Sequence, residues 1–66
     1  MQNLKPRSNA KQRIIQAAFD NFVIYGYEGA SLSNIATSVG IRKASLYTHF
    51  SSKEAMFMEL LQDALN

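Results

Sequence analysis

One short stretch of the sequence combines hydrogen-bond donors with small side chains. It carries Arg42, Lys43, Ala44, Ser45, Thr48 and His49. Long cations can reach a phosphate or a guanine edge, and small residues let a helix lie close to base edges and thymine methyl groups. The planar fork of Arg42 suits base reading better than an ammonium does. The alternatives are solvated charges, filler residues and, for His49, a helix-end imidazole bonded to a carbonyl.

Other kinds of chemistry find little support in the composition. The 66 residues contain no cysteine and one histidine, which excludes disulfides and thiolate metal sites and leaves too few ligands for zinc. No base, nucleophile and carboxylate form a catalytic constellation, so we expect neither an enzyme nor a cofactor. The apolar runs are too short to cross a bilayer, and the start of the sequence lacks the features of a signal peptide. Both observations predict a cytoplasmic protein without a membrane partner.

Charge is distributed unevenly along the chain, although the net charge is only +2. Basic residues crowd the start and acidic residues the end: Lys5, Arg7, Lys11 and Arg13 against Glu54, Glu59 and Asp63. Such asymmetry suits a surface that faces phosphates. A solvated basic terminus would produce the same pattern.

Helical elements must position these side chains. Residues 1–8 include the only proline and lack periodicity, which predicts a flexible basic arm. Ser8 or Asn9 can then cap a first helix, whose apolar residues recur at three- and four-residue spacing. They are Ile14, Ile15, Ala18, Phe19, Phe22 and Val23. Gly26 should end this helix, because glycine accepts the left-handed conformation common just past a helix end.

Two short helices should follow, separated by a tight turn. Ser31 can cap a second helix that Gly40 ends, and a third runs from Lys43 to about Phe50. This is the arrangement of a helix-turn-helix unit, in which the outer face of the second member enters the major groove. We expect an all-α fold, a small bundle with a homeodomain-like three-helix unit over residues 9–50.

A fourth helix should occupy residues 51–66. Ser51 or Ser52 can cap it, and Glu54 falls in its first turn, where the helix dipole favours a carboxylate. Apolar residues continue from Met56 to Leu65, so the helix is expected to lead into an absent C-terminal effector and dimerisation domain. We assign Leu46, Phe50, Phe19, Phe22, Ile35 and Val39 to core packing alone.

From Gly26 to Glu54 the order of residues resembles the tetracycline-repressor (TetR) family. The matching motifs are Gly26-Tyr27, Ser31, Ile35-Ala36, Val39-Gly40-Ile41, Lys43-Ala44-Ser45, Leu46-Tyr47, His49-Phe50 and Ser52-Lys53-Glu54. The family usually has serine or threonine at the position of Arg42, so arginine removes a cap acceptor worth about 1 kcal/mol. Glycine is common at the position of Ala44. Both departures make the operator of a known member a poor guide to the DNA sequence read here.

The resemblance implies roles for individual residues. Arg42, Lys43, Ala44, Ser45, Thr48 and His49 would meet bases or the groove, and Ser31, Tyr47 and Lys53 would bind phosphates. For Ser31 the alternative is capping alone, for Tyr47 core packing, and for Lys53 a plain charge at a helix start. By analogy with the basic arms of other helix-turn-helix variants, the arm and the first helix would touch an adjacent phosphate or the minor groove through Lys5, Arg7, Lys11 and Arg13.

The resemblance also implies a function. Family members bind double-stranded DNA as homodimers at pseudopalindromic operators, usually repress transcription, and release DNA when a small-molecule effector enters the C-terminal domain. We therefore expect the sequence-specific DNA-binding domain of such a repressor, which would be cytoplasmic and nucleoid-associated. The chain is expected to be a fragment or a free-standing head. The alternative is a small helical interaction module that docks through its apolar last helix, where methionines can adapt to a partner.

Overall fold

Four helices form the part of the chain that the computed structural model describes, residues 9–65. They are α1 (Asn9–Gly29), α2 (Leu32–Val39), α3 (Lys43–Leu46) and α4 (Lys53–Leu65). The predicted all-α fold is confirmed. The predicted arm, with Lys5 and Arg7, lies outside the described residues. Within residues 9–65 no helix combines the length and apolar character that a membrane crossing requires.

Helix α1 is interrupted at Gly26, where the sequence predicted the end of the first helix. Gly26 has φ 75° and ψ 170°, a backbone conformation that side chains with a Cβ rarely adopt. Helical structure resumes for one more turn, and the Ala30 amide donates to the Gly26 carbonyl at 3.0 Å. The first helical segment therefore ends at Gly26, as predicted, and the single turn that follows it was not predicted. The glycine changes the direction of the chain between the two segments.

The core lies where α1, α2 and the start of α4 meet around α3. It consists of Ile14, Ile15, Ala18, Ile35, Ala36, Leu46, Phe50 and Met56. The predicted core positions Ile35, Leu46 and Phe50 are confirmed, and Phe22 and Val39 pack against this cluster while half-buried. The last turns of α4 carry less of the core, since Leu65 is 85% exposed.

The core prediction was wrong for Phe19, whose side chain is 50% exposed. At about 100° per residue, Ile14, Ile15 and Ala18 define a face from which Phe19 is turned by about 90° and Val23 by about 130°. Spacings of three and four residues place Phe19 and Val23 in the same sequence pattern as these three residues, although the buried face of α1 is narrower than that pattern. Val23 is accordingly exposed as well.

Helices α1 and α4 are held together by aromatic rings and by a charged pair. Phe22, Tyr27 and Phe57 form a cluster, with centroid distances of 5.8 Å for Phe22–Tyr27, 5.4 Å for Phe22–Phe57 and 5.0 Å for Tyr27–Phe57. Near the other end of α1, Lys11 Nζ lies 3.7 Å from Glu59 Oε1. These contacts tie both ends of α1 to the first two turns of α4. The packing also sets α4 against the loop that precedes α2.

Candidate nucleic-acid interface

A left-handed glycine forms the turn between α2 and α3. Gly40 has φ 79° and ψ 29°, and its amide donates to the carbonyls of Ala36 and Thr37. The Ile41 amide donates to the Ala36 carbonyl at 3.0 Å, which completes a Schellman-type ending. The turn predicted at Gly40 is confirmed. It directs the chain away from α2 within two residues, so that α3 starts at Lys43.

The start of α2 is capped as predicted. Ser31 has an extended backbone, and its Oγ accepts a hydrogen bond from the Asn34 amide at 3.0 Å. The first turn of α2 contains no acidic residue. The remaining amides there form a positive end that suits an anion. The second predicted role of Ser31, phosphate binding, remains a prediction.

Helix α3 is shorter than the predicted segment from Lys43 to about Phe50. Regular α-helix covers Lys43–Leu46, and the next residues form turns in which the Thr48 and His49 amides donate to the carbonyls three residues earlier, at 3.1 and 3.0 Å. Thr48 Oγ1 also donates to the Ser45 carbonyl at 2.6 Å. This local bond competes with the helical ladder. At the other end, Arg42 is the N-cap and makes no side-chain cap bond, as its lack of an acceptor predicts.

The polar side of the segment 42–49 faces outward. Arg42, Lys43, Ala44, Ser45, Tyr47 and Thr48 are exposed, and His49 is half-buried. Leu46 is completely buried and Phe50 nearly so, which anchors the segment to the core. Tyr47 keeps 48% of its surface exposed. The core alternative for Tyr47 therefore fails, while its phosphate contact stays a prediction.

Electrostatics favour an anionic partner at this surface. The sequence has no aspartate or glutamate from Ser31 to Lys53, a stretch that includes α2, the turn and α3. Among residues 9–65, the side chains of Arg42 and Lys43 make no hydrogen bond or ion pair. Cations without carboxylate partners attract phosphates without first breaking an internal contact.

Three other cations assigned to DNA have partners within the chain. Lys53 Nζ donates to the carbonyls of Tyr27 at 2.6 Å and Ala30 at 3.1 Å. Arg13 Nη2 donates to the Val39 carbonyl at 2.9 Å. Lys11 lies beside Glu59 and 5.1 Å from the centroid of the Phe50 ring. The structure therefore brings Arg42 to His49 together on one face and ties these three cations to the scaffold.

The bonds of Arg13 and Lys53 to helix-end carbonyls were not foreseen from the sequence. One signal was available: neither α1 nor α2 carries a basic residue in its last turn. The terminal carbonyls of a helix need donors, so a cation from another element is expected to supply them. Which cation reaches them depends on tertiary packing, because each bond joins residues 23 or 26 positions apart.

The described part of the chain offers no clear alternative site. Within residues 9–65 no three His, Cys, Asp or Glu residues approach closely enough to hold a metal ion. An open groove of about 570 Å³ runs between α1 and α2, lined by polar residues that include Gln16, Asp20 and Asn34. Asn21 is buried at its edge, donating to the Ala17 carbonyl at 3.1 Å, while its Oδ1 has no partner.

Comparison with known proteins identifies the family. The model for bacterial regulatory proteins of the tetR family matches residues 14–60. The chain is 39% identical over 56 residues to the biofilm operon icaADBC HTH-type negative transcriptional regulator IcaR of Staphylococcus epidermidis, covering 85% of this chain and 30% of that protein. It is 49% identical over 47 residues to IcaR of Staphylococcus aureus strain Newman, covering 71% of this chain and 25% of that protein.

The match spans less than a third of these relatives' length. It includes the helix-turn-helix, with both capped ends of α2 and the exposed segment after Gly40. This chain belongs to the tetR family of bacterial regulatory proteins, as the DNA-binding domain of a transcriptional regulator.

Proposed function

We propose that this domain binds an operator by inserting the segment 42–49 into the major groove of duplex DNA, and that it is the DNA-binding part of a repressor. One observation carries the proposal: a polar, carboxylate-free face projects outward on a segment that Leu46 and Phe50 fix to the core. A major groove about 12 Å wide accepts a helix whose outward side chains are short. Ala44 and Ser45 meet that requirement.

The side chains divide into base readers and phosphate binders. In this proposal Arg42 donates two hydrogen bonds to a guanine edge, while Ala44, Ser45 and Thr48 contact bases and thymine methyl groups. The Thr48 hydroxyl already donates to the Ser45 carbonyl. It would therefore accept a hydrogen bond from a base more readily than donate one.

Phosphate contacts would fix the register of the domain on the duplex without reading sequence. Lys43 and the half-buried His49 lie at the edges of the inserted segment, and the exposed hydroxyl end of Tyr47 suits a backbone phosphate. The capped amino end of α2 at Ser31 would hold a second phosphate through its amides. Neutralising phosphates in this way makes binding depend steeply on salt.

Repression, dimerisation and effector release are proposals for the whole protein. The relatives are named negative transcriptional regulators and are more than three times as long as the matched part. A homodimer would present two such domains to half-sites whose centres lie about 34 to 36 Å apart, or at a multiple of that distance. An effector bound outside the present 66 residues would change that spacing.

Binding titrations at several salt concentrations test the function. We expect the 66-residue chain to bind a random-sequence duplex weakly, with a dissociation constant of about 10⁻⁴ to 10⁻⁶ M at physiological salt. The logarithm of the association constant should fall linearly with the logarithm of salt, with a slope of about −2 to −4 for a few phosphate contacts. Binding that does not change with salt, or no binding at low salt, would refute the proposal.

A second candidate function is protein interaction through α4. Met58, Leu61 and Leu65 are exposed on this helix, and Phe19 and Val23 are exposed on α1. Met56, which was included in the predicted docking surface, is completely buried and belongs to the core. Capture of a partner through α4 should survive neutralisation of Arg42 and Lys43, whereas DNA binding should not.

A further inference from the structure

The ammonium of Lys53 lies at the junction between α1 and α2. It donates to the Tyr27 and Ala30 carbonyls at 2.6 and 3.1 Å and lies 4.4 Å from the centroid of the Tyr27 ring. A lysine ammonium has three N–H donors, so two of them are used within the chain. The side chain is half-buried, which strengthens its attraction to the carbonyls and to the face of the ring.

The two carbonyls lie on either side of the last turn of α1. Tyr27 follows the break at Gly26, and Ala30 immediately precedes Ser31, the N-cap of α2. Carbonyls at a helix end lack intrahelical donors, and α1 has no basic residue in its last turn to provide one. The first residue of α4 therefore supplies a donor and a positive charge to the α1–α2 loop.

We infer that Lys53 is a positioning residue for DNA binding, which holds the α1–α2 loop and the capped start of α2 in place, and not a phosphate ligand. The inference rests on the proposed function for its DNA-binding consequence. Two of the three N–H donors of its ammonium already bond part-buried carbonyls, so only one donor is left for a phosphate, and moving the ammonium toward DNA would break the other two bonds. All three donors of Lys43 are available, because its side chain has no partner among residues 9–65.

Salt dependence distinguishes the two roles. Lys53→Met keeps an unbranched side chain of similar length without the charge, and Lys43→Met is the matched control on the proposed DNA face. Removing a phosphate ligand makes the slope of log K against log salt shallower by about 0.9. We expect that change for Lys43→Met and a parallel line for Lys53→Met. The DNA affinity of Lys53→Met should fall about tenfold, as expected if the α1–α2 loop adopts its wild-type position for only a tenth of the time.

Amide hydrogen exchange without DNA tests the loop directly. In Lys53→Met the Asn34 amide, which bonds Ser31 Oγ, should exchange at close to its unprotected rate, because the loop is then open for about nine-tenths of the time. The Ala18 amide in the middle of α1 reports global unfolding and should be unchanged. Lys43→Met should change neither amide.

The wild-type protein provides a measurement that needs no folded variant. In the DNA complex, the ¹⁵N resonance of Lys53 Nζ should keep its free-protein shift and show no coupling to phosphorus. A phosphorus coupling, a shallower salt slope for Lys53→Met, or unchanged Asn34 exchange in a folded Lys53→Met would overturn the inference. If the wild type fails to bind DNA, the proposed function fails, and the Asn34 exchange still decides whether Lys53 holds the loop.

Discussion

Arg42→Ser should make the domain more stable and weaken its DNA binding at the same time. Arg42 is the N-cap of α3, with φ −80° and ψ 152°, and its side chain makes no cap bond. This extended backbone resembles that of Ser31, whose hydroxyl caps α2. A serine at position 42 therefore needs no backbone change to present Oγ to the first turn of α3.

The size of the gain follows from the amides that still need an acceptor. An N-cap serine contributes about 1 kcal/mol relative to alanine, in the middle of a range of about 0.5 to 2 kcal/mol. Here the gain should be nearer about 0.5 kcal/mol, because the Ser45 amide already donates to the Arg42 carbonyl at 3.0 Å. For a domain of this size, that raises the melting temperature by about 2 to 4 °C.

Arg42→Ala is the matched control, since it removes the guanidinium without adding an acceptor. Thermal unfolding followed by circular dichroism should place Arg42→Ser above Arg42→Ala, while both lose the same base preference in binding titrations. The discrimination lost at one base pair should be about 1 to 3 kcal/mol. Equal melting temperatures for the two variants would refute the capping argument, and wild-type base preference in both would refute the role of Arg42.

Three further substitutions test the scaffold. Gly40→Ala should lower the free energy of unfolding in denaturant by about 1 to 2 kcal/mol. Backbone strain is the only cost, because φ is 79° and a Cβ there would meet no atom within 4 Å. An unchanged denaturation midpoint would contradict the left-handed turn. Leu46→Ala should lower the free energy of unfolding by about 2 to 5 kcal/mol, enough to leave much of this small domain unfolded at 25 °C. If the variant melted cooperatively at the wild-type temperature, Leu46 would not be the anchor. Phe19→Ser should change stability by less than about 0.5 kcal/mol, and a loss near that of Leu46→Ala would mean that Phe19 is covered in solution.

Much of the fold could be predicted because its signals are local. Ser31, Gly40 and Ser52 act within three or four residues of their own positions: Ser31 Oγ accepts from the Asn34 amide, Ser52 Oγ from the Ala55 amide, and the Gly40 amide donates back to α2. Their residue types alone therefore indicate where helices start and stop. The core positions Ile35 and Leu46 followed from helical spacing for the same reason.

The errors arose where tertiary packing decides. Phe19 fits the apolar spacing of α1, but only the placement of α2 and α4 determines how wide the buried face is. The turn after Leu46 depends on Thr48 bonding the Ser45 carbonyl and on Phe50 entering the core. The bonds of Lys53 could not be predicted from the sequence, because the loop carbonyls that it meets lie more than twenty residues away in the chain.

The aromatic cluster between α1 and α4 provides an intrinsic spectroscopic probe. The chain has no tryptophan and three tyrosines, so its ultraviolet emission comes from phenol groups alone. Tyr25 and Tyr47 are exposed, whereas Tyr27 is half-buried against Phe22 and Phe57. Near-ultraviolet dichroism should therefore follow the docking of the two helices mainly through Tyr27, while an added quencher would act mainly on the other two rings. Separation of α1 from α4 could be observed without a label and without altering the proposed DNA-binding face.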